Sequence, residues 1–239
     1  MIGKLASGGC TAALVATALA GSRLAAQAPV PVHQEPRHRL VGEVGPIRVL
    51  DVRIPPGDTT LFHVHDAAIM YVPIAASPTD AQSLGGQWGG VQPQDAPRFR
   101  PGVVDSDTLY AVQPVTHRVT NVGGRLFRLI AVTRTGPGAP AGRAEGGAEL
   151  PGELEGSSSW FRQSRLILPG GARTAWYTSS LPLVLVQPGA GRASVERAAA
   201  GARNLLDGPG SWSYLPAGQR YRLRNAGATA TALILIQVR

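Results

Sequence analysis

Three histidines in this sequence have the types and spacing expected of a metal site. His63 and His65 are two residues apart after the turn Pro55-Pro56-Gly57, and His117 lies in a second segment of strand character. Side chains alternate between the two faces of a β-strand, so His63 and His65 point to the same side. Neutral imidazole is a common ligand of transition metals. The pattern predicts one divalent transition metal (Fe, Mn, Ni, Zn or Cu) held by His63, His65 and His117.

These segments resemble the two motifs of the cupin superfamily. Residues 57–65 resemble G-x5-H-x-H-x3,4-E, and residues 117–121 resemble the end of P-x-G-x2-H-x3-N. Cupins are small jelly-roll β-barrels, and the resemblance implies that the histidines bind a divalent metal inside such a barrel. The family's glutamate ligand should fall at Ile69 or Met70, and neither has a carboxylate. The expected site therefore has three histidines, with positions left open for water or substrate.

The elements around these histidines are predicted to be short strands. Segments rich in apolar residues recur along the chain, bounded by Gly, Pro, Asp or Asn, and no stretch has a convincing amphipathic helix pattern. This spacing is typical of a β-sandwich or β-barrel. The predicted strands lie at residues 47–54, 61–65, 69–74, 126–132, 165–168, 183–186, 221–224 and 232–238.

The second half of the chain repeats the first. Residues 169–178 align with residues 56–65 and place Trp176 and Thr178 at the positions of the two histidines. Tyr221 stands where the second motif has its histidine. The second half nevertheless keeps the turn residues of that motif, namely Gly210, Pro216, Gly218 and Asn225, whereas the first half has Val112 and Pro114 at its turn positions.

The repeat predicts an all-β protein with two cupin-type jelly-roll β-barrels in tandem. We expect an N-terminal barrel over residues 40–135 with the histidine cluster, and a C-terminal barrel over residues 160–239 without histidine ligands. Residues 136–159 are rich in Gly, Pro, Ala and Glu and are predicted to be a linker.

The N-terminal segment has the order of a secretory signal. One lysine precedes an apolar run over residues 10–20, and small residues follow, so residues 1–28 are predicted to be a signal peptide. Residues 29–39 are then a Pro-rich tether, in which His33 and His38 are expected to be exposed. The prediction is an extracytoplasmic protein, periplasmic or secreted, with no stable membrane insertion after cleavage. The alternative is a short membrane anchor that is never cut.

The net charge of +8 does not indicate nucleic-acid binding. Lys4 is the only lysine, and the arginines are scattered, without a basic helix or an aromatic-interleaved patch. The chain has one cysteine, Cys10, inside the predicted signal, so a disulfide framework is excluded. The expected partner is a small molecule, and a homo-oligomer is left open.

Several other residues are candidates for the site. Tyr71, Gln87 and Tyr110 are candidates to line the pocket, and Asp66 is a candidate fourth ligand only if the chain turns after His65. The catalytic residues are unknown from sequence. The resemblance implies a metal-dependent dioxygenase, isomerase or decarboxylase. The alternatives are a non-catalytic small-ligand-binding or sensor cupin without metal and a structural role in the cell envelope.

Overall fold

The first half of the chain forms two antiparallel sheets. The computed structural model describes residues 28–96, 99–139, 150–198 and 203–239. The five-stranded sheet has the order β2-β3-β9-β5-β7, and the four-stranded sheet has the order β1-β4-β8-β6. Among the described strands, β1 alone pairs in parallel, with β4. The strands are Val30–Pro31 (β1), His38–Val44 (β2), Ile47–Ile54 (β3), His63–His65 (β4), Ala68–Ala75 (β5), Thr79–Ser83 (β6), Asp105–Asp107 (β7), Val115–Asn121 (β8) and Phe127–Arg134 (β9).

The second half repeats this arrangement of a five-stranded and a four-stranded sheet. Its sheets have the orders β10-β11-β18-β13-β16 and β12-β17-β14-β15. The described residues contain no α-helix, and short 3-10 turns lie at Val32–Gln34 and Leu109–Ala111. The predicted all-β class is confirmed. The strands are Glu153–Ser157 (β10), Phe161–Leu168 (β11), Tyr177–Thr178 (β12), Leu183–Val186 (β13), Arg192–Arg197 (β14), Arg203–Asp207 (β15), Trp212–Leu215 (β16), Arg220–Asn225 (β17) and Thr231–Val238 (β18).

The same hydrogen bonds recur at matching positions of the two halves. The backbone N–H of Thr60 donates to the Val119 carbonyl at 2.9 Å, and the Thr60 hydroxyl accepts from the Val119 N–H at 2.8 Å. Thr174 makes the same two bonds with Leu223, at 2.9 and 3.0 Å. Thr60 and Thr174 therefore occupy equivalent positions. They show which residues of the second half correspond to which residues of the first.

This register corrects the sequence alignment by one residue. The alignment placed Trp176 and Thr178 at the positions of the two histidines, whereas the structure places Tyr177 and Ser179 there. A slip of one residue moves every side chain of a strand to the opposite face. Trp176 accordingly lies outside the barrel core, where the guanidinium of Arg222 stacks 4.7 Å from its ring centroid.

A buried asparagine closes the corresponding turn in each half. The Asn121 side-chain amide donates to the carbonyls of Ile54 (2.8 Å) and Arg125 (2.7 Å), and its oxygen accepts from a backbone N–H. Asn225 makes the same three bonds, donating at 2.9 and 2.7 Å and accepting at 2.8 Å. Both asparagines are fully buried. They hold the end of the strand that carries His117 in one half and Tyr221 in the other.

The central strands of the five-stranded sheets are buried on both faces, which explains their nearly continuous apolar sequences. In β18, Leu233 and Leu235 point into the C-terminal barrel, whereas Ile234 and Ile236 pack against the other half of the chain. The same alternation holds in the N-terminal sheet. One cluster thus joins the two barrels face to face, and its buried members are Ile47, Val49, Ala68, Met70, Val72, Ile74, Ile130, Val132, Phe161, Val184, Val186, Ile234, Ile236 and Val238.

The joint between the barrels also requires a glycine. A side chain at Gly42 would place its Cβ 2.4 Å from the Trp212 ring, so this position in β2 must lack a side chain for Trp212 to pack there. Polar contacts surround the joint. The Arg128 guanidinium binds Asp51 of its own sheet at 2.9 Å and the Pro209 carbonyl of the second half at 3.0 Å. The halves therefore meet through a packed core with polar edges.

Two segments differ from their sequence interpretation. Residues 153–157 of the predicted linker form strand β10, which pairs with β11 and completes the second barrel. The predicted tether contributes β1, which pairs with β4 beside the histidines, and the first two residues of β2. Residues 1–27 of the predicted signal and residues 140–149 of the linker lie outside the described residues. No helix in the described part of the chain is long and apolar enough to cross a membrane.

Candidate metal centre

The three predicted histidines meet inside the N-terminal barrel. His63 and His65 occupy the two ends of β4, and His117 in β8 is the direct cross-strand partner of His63. The centroids of the three rings lie 4.8–5.0 Å apart. His63 and His65 are buried and His117 is half-buried. Strand alternation and antiparallel pairing therefore bring these side chains to one point.

A fourth histidine joins them that the sequence did not predict. His38, the first residue of β2, is buried, and its ring centroid lies 4.4 Å from that of His63 and 6.3 Å from that of His65. One ligand atom each from His38, His63 and His65 lies within 4.8 Å of the others. The expectation that His38 is exposed is wrong, because the segment before β2 folds against the barrel. His33 is half-buried, and the expectation that it is exposed is also wrong.

A buried carboxylate holds His38 in place. Glu35 is 1% exposed, and its Oε2 lies 2.7 Å from Nδ1 of His38. The same carboxylate accepts backbone N–H bonds from Arg37 (2.7 Å), His38 (3.0 Å) and Leu61 (3.1 Å). Burial alone would raise the pKa of Glu35, but the hydrogen bonds from His38 and the backbone outweigh it and lower the pKa. The carboxylate is therefore ionised, and it fixes the tautomer of His38 with Nε2 left to bind a metal.

The positions of three ring nitrogens fit a metal ion. His63 Nδ1 lies 2.9 Å from the Leu61 carbonyl, to which it can only donate, so Nε2 carries the lone pair. That Nε2 is buried and has no protein hydrogen-bond partner. Nε2 of His65 and Nε2 of His117 are 3.1 Å apart. Two nitrogens at Zn–N distances of about 2.0–2.1 Å are separated by roughly 2.9–3.4 Å, depending on the coordination angle, which agrees with this spacing.

Burial keeps two of the rings neutral. Desolvation, together with the neighbouring His38 and His117, lowers the pKa of His63 to about 3. Desolvation and the surrounding histidines also bring the pKa of His65 well below its ordinary value. A metal binds the neutral form of imidazole, so protons compete weakly for these two ligands at neutral pH.

The cluster lies in the wall of a cavity of about 210 Å³ inside the barrel. Tyr71 and Tyr110 line this cavity, and the Tyr110 ring lies 5.0 Å from that of His65. Gln87 is exposed and does not line the cavity, whereas Gln92 does. The reason is that the chain after β6 turns back along that strand, with Gln92 bonded to Thr79. Asp66 is exposed and does not join the histidines.

The C-terminal barrel has aromatic rings where the first has histidines. Tyr177 pairs with Tyr221 in the way that His63 pairs with His117, and their ring centroids are 6.3 Å apart. Tyr221 is 1% exposed. The desolvation of its hydroxyl raises its pKa, and the nearby Tyr177 raises the pKa by a smaller amount. The position equivalent to His38 is Gly152, where a Cβ would lie 2.2 Å from the Arg165 carbonyl oxygen. No second group of three metal-binding side chains is present among the described residues.

Comparisons with known proteins identify the fold. No family model matches the sequence, and no curated protein does. Among solved structures, AerE from Microcystis aeruginosa is similar at 12% identity and a TM-score of 0.58, over 82% of this chain and 90% of AerE. A cupin 2 conserved barrel domain protein from Leptotrichia buccalis is similar at 9% identity and a TM-score of 0.50, over 82% of this chain and 86% of that protein.

Oxalate decarboxylase from Bacillus subtilis, a protein with Mn(II) centres, is similar at 12% identity and a TM-score of 0.50, over 80% of this chain and 68% of the enzyme. Identities this low establish the fold and leave the activity open. The chain has the cupin fold, built as two barrels in tandem.

Proposed function

We propose that this protein binds one divalent transition metal in its N-terminal barrel and uses the site to transform a small organic molecule. The ligands would be His38, His63, His65 and His117. The observation that carries the proposal is the buried, unpartnered Nε2 of His63, which lies among other imidazole nitrogens. An unsatisfied buried polar atom is costly, and a metal ion would satisfy it.

The donor set favours a transition metal over magnesium or calcium, because imidazole is the ligand of Zn, Cu, Fe and Ni whereas Mg and Ca prefer oxygen. A metal of this type, when bound, supplies Lewis acidity or redox chemistry. The chain contributes the rest of the site. Glu35 orients His38, the Leu61 carbonyl orients His63, and Tyr110 packs on His65. The Mn(II) centres of the similar oxalate decarboxylase support the choice of a metal-dependent cupin.

A second candidate function is non-catalytic binding of a small ligand. The apolar character of much of the cavity lining, including Val52, Ile54 and Leu129, favours it, since these side chains can hold a molecule without reacting with it. Conversion of a bound molecule under multiple-turnover conditions distinguishes the enzyme from the binder.

The metal site is tested by the metal content of the purified protein and of matched variants. His63→Ala removes a ligand, and we expect bound metal, measured by mass spectrometry, to fall from about one equivalent to well below half. The matched control is Tyr177→Ala, at the equivalent position of the second barrel, which should leave metal content unchanged. Metal loss in the Tyr177 variant alone, or absence of metal from the wild type under metal-replete expression, would refute the proposal.

We also propose that the protein is exported, which rests on the charged, apolar and small-residue order of residues 1–28. The mature chain should then begin between residues 21 and 29. N-terminal sequencing of the soluble protein from its native cells tests this, and a chain that begins at Met1 would contradict it.

A further inference from the structure

We infer that an arginine-lined cleft on the outer face of the C-terminal barrel binds a phosphate or sulfate group that carries two negative charges. The cleft lies beside Trp176 on the sheet β12-β17-β14-β15, and its volume is about 440 Å³. It is separate from the histidine cluster, which lies inside the other barrel. The inference therefore does not depend on the proposed metal centre.

Strand pairing brings three arginines of this cleft together. In β17, Arg220 and Arg222 are two residues apart and share the face opposite to Tyr221, which lies in the barrel core. Arg222 is the cross-strand partner of Glu196 in β14, and Glu196 is the partner of Arg203 in β15. Arginines that are scattered along the sequence thus form one positive surface on the folded sheet.

The charges of the cleft favour a ligand with two negative charges. Glu196 accepts from Nε of Arg222 at 2.6 Å and from Arg203 at 2.8 Å. The bond from Arg222 is the main reason that the pKa of Glu196 is lowered, so the carboxylate is ionised. With Arg220, three guanidinium groups lie around one carboxylate, which leaves an excess of two positive charges (three less one). Arg197, the remaining arginine of the lining, follows Glu196 and lies on the opposite face of β14.

Two of the guanidinium groups are held in place by the ring of Trp176. Arg222 lies 4.7 Å and Arg220 lies 5.4 Å from the centroid of this ring. A guanidinium presents its N–H donors in a planar fork that matches the oxygens of a phosphate or sulfate group. Arg222 donates to Glu196 through Nε, which leaves its terminal N–H groups for a ligand. Groups that are positioned before binding lose little conformational entropy when the ligand binds.

The first barrel shows which part of this arrangement belongs to the common fold. Arg118 is the equivalent of Arg222, and it lies 4.8 Å from the ring centroid of Phe62 in the same way. Thr116 stands at the position of Arg220. The stacked arginine is therefore shared by both barrels, whereas Arg220 is an addition of the second barrel. Arg220 is the side chain whose removal tests the anion site with least effect on the framework.

The experiment titrates sulfate and methyl sulfate into the full-length protein at low ionic strength, by calorimetry. The two anions share a sulfate group, but methyl sulfate carries one charge fewer, so sulfate should bind about tenfold more tightly. Arg220→Gln should weaken sulfate binding about tenfold, because it removes a charged donor. The matched control is Arg192→Gln, which removes the same charge from the same face of β14 as Glu196 but outside the cleft, where Arg192 pairs with Asp207. It should change sulfate affinity less than about twofold.

A second measurement distinguishes a free anion from a lipid headgroup. The protein and both variants are sedimented with phosphatidylcholine vesicles, with and without phosphatidic acid. Binding to phosphatidic acid that Arg220→Gln loses and Arg192→Gln retains would assign the cleft to a lipid phosphate, and the same pattern for sulfate alone would assign it to a free anion. Both arginines are exposed, so both variants should fold, and their melting temperatures check this.

Three results would overturn the inference. The first is a wild-type protein that binds neither sulfate nor vesicles with phosphatidic acid. The second is an equal effect of Arg220→Gln and Arg192→Gln on both probes, which would show that the anions respond to the net charge of the protein and not to the cleft. The third is an equal affinity of the wild type for sulfate and methyl sulfate, which would remove the requirement for two charges.

Discussion

The substitution Glu35→Gln tests whether the buried carboxylate controls the metal site through His38. Gln has the shape of Glu but carries no charge and replaces one acceptor oxygen with a donor. Glu35 accepts from His38 Nδ1 at 2.7 Å and from three backbone N–H groups. The amide group of Gln would face a donor in at least one of these bonds. We therefore expect a weaker hold on the His38 ring and a less basic Nε2.

The expected loss of metal affinity is 10- to 100-fold, the usual effect of removing a hydrogen-bond partner from a metal-binding histidine. This corresponds to about 1.4–2.7 kcal/mol of binding free energy. The metal-free variant should also be less stable by about 1–3 kcal/mol, because a buried N–H loses its acceptor. Metal affinity is measured by competition with a chromophoric chelator, and stability by urea unfolding of the metal-free protein.

The matched control is Glu43→Gln, which makes the same chemical change on the exposed edge of β2, where Glu43 pairs with Arg48. It should change metal affinity less than twofold, because surface ion pairs contribute little. A Glu35→Gln protein that is less stable but binds metal as tightly as the wild type would refute the reasoning. Glu35 would then support the fold around β2 without acting on the metal site.

Further predictions concern stability. The free energy of unfolding of the metal-free protein should decrease as pH falls below 6.5 towards 3, because His63 and His65 bind protons in the unfolded chain and stay neutral in the folded protein. Urea midpoints at several pH values measure this decrease, which should reach about 1.4 kcal/mol per pH unit for each histidine. Phe161→Ala should cost about 3–5 kcal/mol and leave a single unfolding transition, whereas two separated calorimetric transitions would show independent barrels. Asn121→Ala and Asn225→Ala should each cost about 2–3 kcal/mol, and only the first should also weaken metal binding, as chelator titration of both variants would show.

Much of the fold was predictable because its signals are local. Strands such as β3 and β13 have the predicted bounds, since each is an apolar run that ends at turn residues. The His63 and His65 pair was predictable for the same reason, because spacing along one strand fixes the face of each side chain. Partners on different strands, by contrast, are brought together by tertiary pairing.

His38 shows what local patterns miss. It lies 25 residues before His63, and only the pairing of β2 with β3 and the hydrogen bonds of Glu35 bring it to the cluster. Glu35, three positions before His38, was a signal in the sequence that His38 is a candidate ligand, since metal-binding histidines commonly have a carboxylate partner. The strand β10 was missed because its residues, Glu153–Ser157, are mostly exposed and carry no apolar alternation.

The one-residue error in the repeat had a specific cause. The alignment matched Pro169 to Pro56, whereas the hydrogen bonds match Pro169 to Pro55. The glycines decide between the two, because Gly57 and Gly171 both have a φ of 73° and both lie two residues after the matched proline. The correct register therefore matches two glycines that each lie two residues after a proline, Gly57 after Pro55 and Gly171 after Pro169. Matching the directly adjacent pairs, Pro56-Gly57 and Pro169-Gly170, gives the wrong register.

The shared core between the barrels bears on how such a chain changes over generations. A gene fragment that encoded the first barrel alone would produce a protein with the apolar outer face of β3, β5 and β9 in water, and such surfaces aggregate or associate with one another. If the proposed metal site is under selection, the second barrel is thereby preserved as well. That barrel has Tyr177 and Tyr221 at the positions equivalent to His63 and His117, while β11, β13 and β18 keep the apolar residues that face the first barrel. Its role is that of a built-in subunit, and a domain exchange that joins the first barrel to a new partner must bring along a surface that covers the same sheet.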